Sequence, residues 1–131
     1  MFIRFVQSRL DSDSGRRAGI LVVAHEFRDS LETPVYTSRR VTTLLAWFTD
    51  NLKVPPRFNR SRSKGAWRRN TTGLSWFKDT ATEHLNKAHE LCNILRDHGY
   101  AITILRTDRP GFIVYEDDHQ IVAEPFADTP T

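Results

Sequence analysis

The sequence predicts an α+β domain, and three observations carry that prediction. Apolar residues recur at helical spacing in three separate segments. Short β-branched and aromatic runs stand at 2 to 6 and again from Tyr100 onward. Turn-rich stretches divide the one kind from the other. The resulting order, β-α-α-α-β-β-β, builds a small antiparallel sheet with its helices packed on one face. With 131 residues, 39% of them hydrophobic, the chain is the size of one domain and can bury a core without staples. That domain is expected to span 1–126, with a basic loop at 54–72 and a loose tail at 127–131.

"FIRFV" at 2 to 6 reads as the first strand, and "DSDSG" after it as a turn. From Arg16 on, Ile20, Val23, Ala24, Phe27 and Leu31 follow a helical stripe, although "GILVV" alone would also suit a buried strand. Pro34 breaks the pattern. Val41, Leu44, Leu45, Phe48 and Leu52 then form a second stripe, so the two helices make a hairpin. The third helix is expected from about 80 to 98. "TATE" at Thr80 to Glu83 fits a capping box, Ala81, Leu85, Ala88, Cys92 and Leu95 form the stripe, and Gly99 supplies the left-handed stop. "YAITILRT", "GFIVYED" and "QIVAEPF", separated by "DRPG" and "DDH", read as an antiparallel meander, with the first strand beside it or at its edge.

The functional lead is electrostatic. Arg57, Arg60, Arg62, Lys64, Arg68 and Arg69 supply 6 of the 19 basic residues within thirteen positions, leaving 13 cations against 16 acids elsewhere. The net charge of +3 therefore belongs to one segment on a mildly acidic body. Guanidinium forks suit phosphate, serines and asparagines position a backbone, and Trp67 and Phe58 can stack on unpaired bases. This composition points to RNA or single-stranded DNA, or to an acidic protein surface docked by the same segment. The competing account is a solvated connection whose arginines pair with Asp79, Glu116 and Asp117. Trp47–Phe48 and Trp76–Phe77 are adjacent aromatic pairs, expected to place one member in the core and one at its margin. An exposed Trp76 beside the basic segment would instead make an interface anchor.

Most other chemistries lack their residues. His89 and Cys92 are three apart on a helix, without two further ligands at a metal spacing. Cys92 lies on the apolar stripe and reads as an inert buried thiol. His98 reads as a cation at the helix end. No glycine-rich phosphate loop or serine elbow is present in the sequence, and no cofactor is implied. Tyr115, Glu116, Asp117, Asp118 and His119 have the residue types of acid–base work but read better as a hairpin turn. The chain reads as a binding module rather than an enzyme. One cysteine and no apolar run of spanning or signal length point to the cytoplasm and away from a membrane. The exposed edge of a small sheet leaves a homodimer open.

"RFNRSRSKGAWRRNT", "SWFKDTATEH" and "RPGFIVYEDDHQIVAEPF", with "MFIRF", resemble a group of small uncharacterised bacterial proteins over most of the chain. That resemblance implies a bacterial cytoplasmic protein and assigns no functional residue. The order of a strand, a helical hairpin and a late "VYEDD" hairpin is similar to that of the RelE-like toxins, which would imply a small ribonuclease acting on ribosome-bound messenger RNA. His119 or Tyr115 would then serve as acid or base. The third helix, the basic segment and a strand end "VAEPF" with no following arginine or histidine depart from that pattern.

Overall fold

The computed structural model describes residues 1–12, 15–58 and 73–131. Its elements run β1 (Phe2–Leu10), β2 (Arg17–Gly19), α1 (Ile20–Asp29), α2 (Val35–Asn51), β3 (Leu74–Lys78), α3 (Thr82–Asp97), β4 (Ile102–Thr107), β5 (Phe112–Glu116) and β6 (Gln120–Glu124). The α+β class holds, with three helices and a six-stranded antiparallel sheet. The order differs from the expected one by β2 and β3. Three residues are too few for β2 to show an alternation. β3 lacks one because Leu74 and Trp76 are buried on one face and Phe77 on the other.

Each helix buries most of its predicted stripe, with Leu52 and Leu85 partly buried at the margin. Ile20, Val23, Ala24 and Phe27 of α1, Val41, Leu44, Leu45 and Phe48 of α2, and Ala88, Cys92 and Leu95 of α3 meet Phe5, Phe77 and Ile102 of the sheet. Two details differ. Leu31 lies beyond the end of α1 and is fully exposed. The capping box does not form either: Ala81 is the N-cap of α3, without a side-chain cap, and the Thr82 amide bonds the Thr80 carbonyl. At the other end Gly99 takes φ +90°, and the amides of His98 and Tyr100 both return to the Leu95 carbonyl.

The last three strands are not a meander. The ladder runs β4-β1-β3-β6-β5, so β1 and β3 lie between β4 and the β5–β6 hairpin. β1 gives one edge to β4 from Phe2 to Gln7. Its other edge is shared: Phe2 and Ile3 pair with β3, and Val6 and Leu10 pair with β2. The sheet forks between them, at Arg4 and Phe5.

Only residues 108–111 join β4 to β5, the two outer strands. In a flat sheet four strand spacings would hold them about 19 Å apart. Five extended virtual bonds reach about 17 Å. Phe112 also stands opposite Glu124, at the end of the ladder away from Thr107 and its partner Phe2. The sheet must therefore be strongly coiled. Coiling explains a second core drawn, among the described residues, from strands alone: Val6, Leu74, Trp76, Leu105, Ile121 and Ala123. Gly111 belongs to this corner, because its φ is +129° and a Cβ there would strike the Glu124 carbonyl. The Thr129 hydroxyl donates to the Arg109 carbonyl at 2.9 Å, and Arg17 Nε donates to the Thr131 oxygen at 2.7 Å. Residues 127–131 thus run from the β4–β5 connection to β2.

Candidate functional site

Of the predicted binding residues, Arg57, the first of the basic segment, is partly buried, while Arg60, Arg62, Lys64, Trp67, Arg68 and Arg69 lie outside the described residues. The residues on either side of 59–72 are held together. The Gly73 amide donates to the Phe58 carbonyl at 2.8 Å. A Cβ on Gly73 would collide with that same carbonyl and with Val122, so glycine permits the close approach. The chain before and after the segment is therefore clamped side by side against β6. Gln120, itself buried, extends the clamp by donating from Nε2 to the Lys53 carbonyl at 2.6 Å.

The acids that a purely structural account would pair with the basic segment are engaged by described partners. Asp79 holds the Met1 ammonium at 3.3 Å, and Glu116 holds Lys78 Nζ at 2.6 Å. Asp117 accepts the Tyr115 hydroxyl at 2.8 Å, the His119 and Gln120 amides at 2.9 and 3.0 Å, and Gln120 Nε2 at 3.0 Å. Burial pushes the Asp117 carboxyl up, but those four donors outweigh it and hold the group at about 2. The bond to Asp117 and, to a lesser degree, desolvation push the Tyr115 phenol up. This is turn chemistry: Asp117 organises the β5–β6 connection, and the Tyr115 hydroxyl is spent on it.

One grouping could not be seen along the sequence. His84 is buried, its Nε2 lies 2.8 Å from the Asn51 carbonyl at the end of α2, and its ring stacks on His119 at 4.3 Å. It thereby ties α2 and α3 to the β5–β6 turn. His89 packs its ring edge-on to Phe5 at 5.1 Å. Cys92 is fully buried, and desolvation pushes its thiol up to about 11, as an inert core thiol requires. Among the described residues no three His, Cys, Asp or Glu side chains cluster to hold a metal, and no helix is long and apolar enough to cross a membrane.

Trp76 is 1% exposed, and it is not the surface anchor considered above. Both members of its pair are core because β3 has a core on each face. Phe48 is likewise core, and Trp47 packs at the margin. Trp76 faces a cavity of about 580 Å³ at the fork of the sheet. Arg4, Phe5, Phe48, Phe58, Gly73 and Gln120 also line it, so the clamp beneath the basic segment forms part of its wall. Arg4 is the residue that the sequence reading passed over. The signal was present in "FIRFV", where an arginine holds the position between Phe2 and Val6 on one face of a strand.

No protein-family model, curated protein or solved structure matches this chain.

Proposed function

We propose that this protein is a non-enzymatic binding module of the cytoplasm that holds single-stranded nucleic acid, RNA or DNA, through the basic segment 57–69. The observation that carries the reading is the segregation of charge, with six of 19 cations in thirteen positions and a balance of −3 over the rest of the chain. Arg57, Arg60, Arg62, Lys64, Arg68 and Arg69 would neutralise phosphates, and Trp67 would stack on a base. Two features of the described residues support it. The Gly73 amide and the Phe58 carbonyl join the two ends of the stretch 58–73 beside the sheet, and Asp79, Glu116 and Asp117 already have partners.

Fluorescence polarisation with labelled single-stranded RNA, single-stranded DNA and duplex DNA tests the proposal. Six phosphate contacts to a single strand give a log–log salt slope of about −4, or about a 300-fold loss of affinity between 50 and 200 mM salt. Glutamate at 60, 62, 64 and 68 should abolish binding while leaving the melting curve unchanged. Absence of binding to all three probes at low salt would sink the proposal. It would favour the second reading, an accessory or inhibitory module that docks an acidic protein surface through the same residues. Probe cleavage lost on His119→Ala or Tyr115→Phe would instead favour a ribonuclease.

A further inference from the structure

The two outer strands of the sheet end it in different ways. β5 is irregular: its register with β6 shifts between Ile113 and Tyr115, and such a break bends an edge away from further pairing. β4 has no such break. It pairs with β1 in six consecutive steps, from Thr107 opposite Phe2 to Ile102 opposite Gln7. Among the described residues no strand lies on its other side.

An antiparallel ladder uses the N–H and C=O groups of alternate residues and turns those of the residues between them outward. The ends of β4 are tied, because Arg96 Nη2 donates to the Ile102 carbonyl and the Thr107 hydroxyl accepts from the Arg109 amide. From 103 to 106 the outward backbone groups have no protein partner among the described residues. Four of the six side chains of β4 are β-branched, and Arg106 is its single charge. Edges that avoid pairing carry charges, prolines or bulges, and β4 has little of these. Ile102, Ile104 and Arg106 share the face that the helices cover. There Ile104 packs against the main core but stays partly exposed.

We infer that β4 is a docking edge for a second copy of the chain, which adds its own β4 antiparallel across a two-fold axis at Ile104. A strand that meets its twin about an axis normal to the sheet sets one residue opposite itself, and each copy then completes the other's open ladder. With Ile104 at the axis, 102 to 106 of each copy face one another, and the two partly exposed isoleucines cover each other. The two Arg106 side chains then lie four residues, about 14 Å, apart along the ladder. Centring on Leu105 would bring them to about 7 Å. Centring on Thr103 would leave only 102 to 104 paired. An edge of this length buries less than the roughly 1,200–2,000 Å² of a standard interface, so the dimer should form at micromolar concentrations and above. The inference does not depend on the basic segment binding nucleic acid.

Sedimentation equilibrium of the full chain across a concentration series provides the first test and should show a monomer passing to a dimer. Hydrogen exchange read by mass spectrometry should slow in β4 as concentration rises, while β5 stays unchanged. Disulfide trapping reads the register. Ile104→Cys sets two thiols on Cα atoms about 4.5–5.5 Å apart and should cross-link on oxidation. Thr103→Cys sets them about 8 Å apart and should not, and Cys92 is buried and takes no part. Ile104→Lys places two like charges directly opposite and should weaken association roughly tenfold or more, with a melting curve confirming that the variant is folded. A monomer at every concentration up to the solubility limit, a mass that grows past the dimer, β4 exchange that ignores concentration, cross-linking through Thr103→Cys in preference to Ile104→Cys, or association that survives Ile104→Lys would each overturn the inference.

Discussion

Replacing Arg4 by methionine should stabilise the protein, an unusual outcome for a buried position. Burial lowers the Arg4 guanidinium from its ordinary value to about 10. At about 1.4 kcal/mol per unit, that displacement puts a penalty of about 3 kcal/mol on the charged form in the folded state. The sign follows from linkage. A cation whose folded pKa is depressed binds protons less well in the native state, so the penalty is fully present below pH 10. It would be relieved only as pH rises above about 10. Methionine removes the penalty and has a similar length and volume. It forfeits the bond from Nη2 to the Arg17 carbonyl, worth about 1.5–3 kcal/mol as a charge-assisted contact. The net expectation is a gain of about 1 kcal/mol, or roughly 2–5 °C in Tm for a domain of this size. Thermal and urea unfolding followed by circular dichroism read it directly. A loss of more than about 1 kcal/mol would show that the guanidinium is better compensated than its contacts indicate, and would refute the reasoning.

Three further outcomes follow from single groups. Asp117→Asn presents an amide nitrogen where the carboxylate accepted from Tyr115 and Gln120 Nε2, so it should cost about 2 kcal/mol. In the wild type the Asp117 contribution is present above pH 4 and lost as pH falls through about 2, and acid unfolding of the variant should lack that component. Gly111→Ala forces a Cβ into the Glu124 carbonyl at φ +129° and should cost more than about 2 kcal/mol, whereas Gly99→Ala, in open space at φ +90°, should cost about 1 kcal/mol. Paired urea curves compare the two. Cys92 should resist a chromogenic disulfide reagent at pH 8 in the native protein and react at once in denaturant; rapid native labelling would contradict its burial.

Local periodicity and local chemistry account for the part of this fold that can be read along the chain. The helices are legible because a 3.6-residue stripe such as Val41, Leu44, Leu45 and Phe48 records which face will be buried, whatever covers it. Gly99 and Asp117 were legible as a helix stop and a turn because each acts on backbone within a few residues. The concentration of charge at 57–69 is a property of composition alone. Strand order is set by long-range pairing: β1 pairs Phe2 with both Lys78 and Thr107, and no local pattern distinguishes one distant edge from another. β3 was hidden because burial on both faces erases the alternation that marks a strand. The same holds for Arg4. An arginine between Phe2 and Val6 is ordinarily read as the solvent face of an edge strand. It is inside because a short connection between the outer strands coils the sheet around it, leaving one guanidinium nitrogen of Arg4 buried without a partner among the described residues.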